Sequence, residues 1–136
     1  MAAGNYSFTI EQGATTDFEL VYKDSSGNPV DLTHYDARMQ LKNSAGGSTT
    51  FLTLSSSLGT DGTGLNLSGS GGLTANKPLT SGSIGIYISH ATSSNLSFTS
   101  AVYDLEIVSG SGNTATVTRL IQGKVNLSKE VTTGNY

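Results

Sequence analysis

The chain has 136 residues, enough for one ordinary domain spanning 1–136 with a core of its own. Its formal net charge is -3 and only 12% of its residues are charged, so it lacks the clustered Lys and Arg that binding to nucleic acid or anionic lipid requires. It contains no cysteine, which excludes disulfides, thiol nucleophiles and Cys-based zinc sites.

The N-terminal stretch "MAAGNYSFTIEQG" has neither the basic n-region nor the apolar h-region of a signal peptide, and no apolar run approaches the roughly 18 residues of a membrane span. The expectation is a soluble chain with no nucleic-acid or membrane partner. From Tyr6 onward the dominant period is two. "YSFTI" places Tyr6, Phe8 and Ile10 on one face, and "FELVYK" places Phe18, Leu20 and Tyr22 on one face with Glu19 and Lys23 opposite. "KDSSGNPV" then carries turn chemistry in Gly27, Asn28 and Pro29. "DARMQLK" alternates Ala37, Met39 and Leu41 against Arg38, Gln40 and Lys42. Leu52 and Leu54 mark the next strand, and Leu65 and Leu67 mark a weak one inside a Gly- and Ser-rich excursion at 55–83.

"SIGIYIS" offers Ile84, Ile86 and Ile88 to a core. In "SHATSSNLS", Ser89 can cap one helical turn running to about Leu96, although a plain turn fits equally well. "AVYDLEIV" points Tyr103, Leu105 and Ile107 inward and Asp104 and Glu106 outward, and "SGSGN" connects it to a long last strand, "ATVTRLIQGKVNLS". Strict alternation in that strand puts Val117, Arg119, Ile121, Val125 and Leu127 on one face, unless Gly123 is a bulge that switches the pleat. Such a chain is all-β. An immunoglobulin-like antiparallel β-sandwich of about 7–9 strands, with 55–83 as a hairpin or loop excursion, is favoured over a small barrel.

No catalytic, cofactor or metal residue stands out. His34 and His90, the two histidines, sit in no metal-directing spacing, and "GTDGTG" supplies only Asp61 where a calcium loop needs several carboxylates. Asp31 and Asp36 flank His34 at a turn and a strand start, where Asp bonds local backbone. Arg38 and Arg119 are placed to pair across strands with Asp104 or Glu106. A glycan hydrolase would need two facing carboxylates at controlled separation, and no adjacent strand pair supplies them convincingly. Attention therefore falls on the surface. Tyr87 opposes the Ile84, Ile86 and Ile88 face, so it is either an outward interface anchor or locally covered. Tyr6, Leu65, Leu67, Tyr87 and Tyr136 are the candidate interface residues.

The ordered set Gln12–Gly13, Gly27, Pro29, Asp31 to Thr33, Ala37 to Met39, Tyr103 to Glu106, and Arg119, Leu120, Gly123 and Val125 resembles a family of small β-sandwich proteins of tailed bacteriophages, common in marine phages and cyanophages. The resemblance covers nearly the whole chain outside 55–83. It implies a virion structural protein of the tail, baseplate or fibre-adaptor type, assembled in the host cytoplasm, with other virion proteins and copies of itself as partners. It implies no catalytic residues and no cofactor. A capsid decoration or neck protein is the alternative within that class, and a host-glycan-binding module, disfavoured by the absence of Trp, is the alternative outside it. Two departures stand out. His34 occupies a turn position where the family pattern has Gly, so a left-handed conformation is expected there, and 55–83 is long for the family. The segments 1–6, 55–83 and 129–136 are the expected contact elements.

Overall fold

In the computed structural model, which describes residues 4–133, strand β4 (Tyr35–Lys42) buries Ala37, Met39 and Leu41 and exposes Arg38 and Gln40. That alternation recurs in β8 (Ser100–Ser109), where Ala101, Tyr103, Leu105 and Ile107 are buried. With β5 (Thr50–Ser55) and β9 (Thr116–Ser128), these strands form a larger sheet in the order β9-β8-β4-β5. The second sheet has the order β3-β7-β6, from Thr16–Val21, Ser83–Ile88 and Gly64–Asn66. This partition, with β3, β7 and β6 facing β4, β8 and β9, is that of an immunoglobulin-like sandwich with one added strand, β5.

The core between the sheets joins Ile84, Ile86 and Ile88 to Met39, Leu41, Leu54, Leu105 and Ile107. Connections contribute to it as well. Leu32, in the turn before β4, is fully buried, and Leu96 and Phe98 follow helix α1 (His90–Ser94) into the core, where Phe98 stacks on Phe51. His34 does not adopt the expected left-handed conformation, since every positive φ among the described residues belongs to glycine. The turn is held instead by Asp31, whose Oδ1 accepts from both the amide and the hydroxyl of Thr33, so nothing at His34 requires glycine.

One part of the sandwich is not antiparallel. β1 (Gly4–Asn5) and β2 (Phe8–Glu11) both run parallel to β9, with Gly4 opposite Ile121 and Phe8 opposite Val125. Parallel neighbours cannot be joined by a hairpin. Here the connection is the whole remaining domain, because the two partners come from opposite ends of the chain. Between β1 and β2 the backbone crosses Gly123 so closely that a Cβ there would lie 2.1 Å from the Tyr6 carbonyl oxygen. The same oxygen accepts a 2.5 Å hydrogen bond from the hydroxyl of Tyr103, whose ring is buried and whose phenol is pushed up to about 12 by desolvation. Phe8 packs edge-on against both Tyr103 and Phe18, tying β2 to both sheets.

Gly123 is thus a crossing point and not the place where the pleat switches. The bulge lies at Leu120, because Leu105 faces Ile121 while Glu106 faces Arg119. Arg119 and Ile121 therefore lie on opposite faces, contrary to strict alternation.

Gly123→Ala is expected to destabilise the fold by about 2 kcal/mol, within the usual range for overpacking. Amide exchange at Phe8–Glu11 should accelerate while β4 stays protected; unchanged exchange in β2 would show that the N-terminal strand does not depend on this gap.

Candidate functional site

The two broad outer faces of the sandwich are treated differently by the chain. Over the smaller sheet, the segment after β6 folds back onto β7. Asn66 starts the turn by accepting from the Ser68 amide and donating to the Gly72 carbonyl. The backbone then passes so near Gly85 that a Cβ there would lie 2.1 Å from the Gly69 carbonyl oxygen. Two carboxylates of β3 hold it in place. Glu19 accepts from the Ser70 amide at 3.0 Å and hydroxyl at 2.9 Å and from Lys77 at 2.5 Å, and Asp17 accepts from the Gly71 amide at 3.0 Å. These bonds, led by that to Lys77, hold the Glu19 carboxyl down at about 2.

The stretch 55–83 is therefore mostly a cover for its own sheet, and the candidate interface residues on it are placed accordingly. Leu65 is fully buried in the core and Leu67 is half-buried against it, so Leu65 presents nothing to a partner. Tyr87 lies beneath the cover: a Cβ on Gly72 would come within 2.9 Å of its ring, and one on Gly62 within 3.3 Å. Of the two readings of Tyr87, local covering is the one realised. Tyr6 remains 44% exposed, beside Phe8 and Phe18. Tyr136 lies outside the described residues.

Asp61 has a local task. Its Oδ2 accepts from the Ser89 hydroxyl at 2.5 Å and the Thr92 hydroxyl at 3.0 Å, and its Oδ1 accepts from the Thr63 amide at 3.0 Å. Ser89 in turn caps α1 by accepting from the Thr92 amide, which selects the helical reading of this stretch. The Ser89 hydroxyl, more than any other group, holds the Asp61 carboxyl far below the usual carboxylate range. Among the described residues no three His, Asp or Glu side chains gather as a metal site would require.

Over the larger sheet the outer face is uncovered, and its side chains form rows across β4, β8 and β9. Lys42, Val102 and Lys124 make one row; Gln40, Asp104 and Gln122 make the next; Arg38, Glu106 and Arg119 make the third. Arg38 Nε donates to Glu106 at 2.7 Å, and Arg119 Nε lies 3.3 Å from Asp104, so both expected cross-strand pairs are present. Both arginines are more than half exposed, and such pairs contribute about 0.5 kcal/mol each.

At one end of this face a cleft of about 530 Å³ opens, with the first two rows and Arg119 along its floor. Asn5 of β1 forms one side and the turn at Ser44, Ala45 and Gly46 the other. It gathers three cations, Lys42, Arg119 and Lys124, around one acid, Asp104. The sequence does not reveal this cluster, because Arg119 and Lys124 are an odd number of residues apart and share a face only through the Leu120 bulge.

No family model matches the chain, and no curated protein matches it.

Glu19 is the pH-sensitive clamp of the cover. Its folded pKa is depressed, so its stabilising contribution is complete above about 4.5 and is lost as pH falls toward about 2. Denaturation midpoints measured across that interval should fall less steeply for Glu19→Gln than for the wild type. Equal slopes would remove Glu19 as the anchor.

Proposed function

We propose that the chain is a non-enzymatic structural subunit of a tailed-phage virion, of the tail, baseplate or fibre-adaptor type, that works through protein contacts in a symmetric assembly. The support begins with what the family-like residues do in the fold. Gln12 ties the end of α1 to the C-terminal segment, donating to the Leu96 carbonyl at 2.8 Å and accepting from the Glu130 amide at 3.0 Å. Gly13, with φ of 84°, donates to the Ser93 hydroxyl. Leu32, Met39 and Leu105 are core, Asp31 holds a turn, Glu106 pairs with Arg38, Leu120 is the bulge and Gly123 the crossing. The resemblance therefore lies in framework positions, which is consistent with a scaffold role.

The observation that carries the proposal is where apolar surface remains. Among the described residues, the large hydrophobic residues that stay exposed are Tyr6, Val21, Leu73, Val117 and Val131. Three of them fall one each on the three expected contact elements: Tyr6 on the N-terminal segment, Leu73 on the cover and Val131, 97% exposed, on the C-terminal segment. Each of these segments is pinned to the domain close by, through the Tyr6 carbonyl, the Glu19 clamp and the Gln12–Glu130 bond. An apolar side chain on a pinned segment can enter a partner's pocket at a low ordering cost.

Immunolabelling of particles of the phage that carries this gene should place the chain at the tail or its tip. Label on the capsid lattice would transfer it to a decoration role, and absence from particles would reject the virion reading. A variant with Tyr6→Ser, Leu73→Ser and Val131→Ser should keep its circular dichroism spectrum and fail to incorporate.

A further inference from the structure

We infer that the cleft on the outer face of the larger sheet is a binding site for an acidic saccharide, with a sugar carboxylate between Lys42 and Lys124 and ring hydroxyls over the Gln40, Asp104 and Gln122 row. Four of the seven Lys and Arg side chains already have partners. Arg38 and Arg119 are ion-paired, Lys77 holds Glu19 and Lys129 donates to the Ser97 carbonyl. The ammonium groups of Lys42 and Lys124 have no hydrogen-bond or ion-pair partner among the described residues. They sit in one row on either side of Val102, two inter-strand spacings apart, so their stems rise roughly 10 Å from each other. Two flexible ammonium arms at that spacing can close on one anionic group held over the apolar Val102 floor.

The next row determines what the anion is attached to. It lies two residues along the strands, roughly 7 Å away, about the step from a carboxylate to the far hydroxyls of a pyranose ring. It presents the amides of Gln40 and Gln122 around the Asp104 carboxylate; Gln40 donates to the Thr53 hydroxyl, Gln122 accepts from Arg119 and Asp104 is ion-paired with Arg119, which leaves Gln40 its carbonyl oxygen and Gln122 its amide donors for a ligand. That set suits vicinal hydroxyls, which both donate and accept. Ser44 and Asn5 add polar groups at the two sides of the cleft.

An acidic peptide fits less well. The cleft is on the face of the sheet, where the backbones of β8 and β9 are already paired, so an extended peptide could not add as a strand and would keep only side-chain contacts. The cleft also lacks an exposed aromatic platform, since Tyr103 points into the core. Binding to a single site is therefore expected in the millimolar range and to weaken with salt.

The test is an amide NMR titration with trigalacturonic acid, run beside its methyl ester, inorganic sulfate and a short oligoglutamate. Saturable shifts at Lys42, Val102, Gln122 and Lys124 are expected with trigalacturonate only. Lys42→Gln/Lys124→Gln should bind about tenfold or more weakly, given the strength of hydrogen bonds to charged groups. The control Lys23→Gln/Lys129→Gln should bind normally, and unshifted signals elsewhere would report that both variants fold. No saturable shift, equal binding of the methyl ester, or equal binding of sulfate or oligoglutamate would each overturn the assignment.

Discussion

A single extra residue in the last strand decides what the larger sheet can present. β9 must bury Ile121, Val125 and Leu127 against β8 and β2 while its first half runs along Val108 and Glu106. Without a bulge, a side-chain period of two would carry Arg119 inward with Ile121, leaving a guanidinium in the core or an isoleucine in water. Leu120 absorbs the mismatch. Arg119 then turns outward to Asp104, beside Gln122 and Lys124, which have the opposite parity. The third row, and with it the place of Arg119 in the cleft, therefore depends on the bulge.

Two close backbone approaches set the other boundaries. At Gly85 the cover lies directly on β7, and at Gly123 the N-terminal strand lies directly on β9. Both need a residue with no Cβ, and both place a carbonyl where a side chain would stand. Their consequences differ. The first closes the outer face of the smaller sheet, using Glu19 and Asp17 as fasteners. The second extends the larger sheet by β1, whose Asn5 becomes a side of the cleft. The accessible broad face is thus the larger sheet, and its position follows from where backbone touches backbone.

Much of this was legible in the sequence. Alternation located the core faces of β4, β7 and β8, turn chemistry located the connections, and Asp104 and Glu106 were the expected partners of the two arginines. What escaped has a physical reason in each case. The parallel pairing of the first strand is a long-range choice that no local pattern encodes. Leu65 reads as the weak strand of a loop because its neighbours are Gly, Asn and Ser, yet it is a core residue through its pairing opposite Ile86. The bulge reads as alternation because Leu120 is itself apolar. The turn at His34 reads as a left-handed position that His tolerates, because the family pattern has Gly there, whereas Asp31 stabilises the turn through Thr33 without a positive φ. The cleft is an assembly of residues from four separated strands and one turn, visible only once register is known.

Charge placement then distinguishes the faces further. Of seven Lys and Arg residues in the chain, four (Arg38, Lys42, Arg119 and Lys124) stand on the outer face of the larger sheet, with Asp36, Asp104 and Glu106 as its acids. A chain of net charge -3 thus carries one face of slight positive balance and a remainder that is negative. The imbalance is too small to draw a polyanion from a distance, because at physiological salt the field decays within about 8 Å. It is large enough to orient a contact at short range, where like charges repel and opposite charges attract. The Lys42 and Lys124 ammonium groups of that face, unpaired among the described residues, are held at their spacing by the register of β4 and β9 on β8.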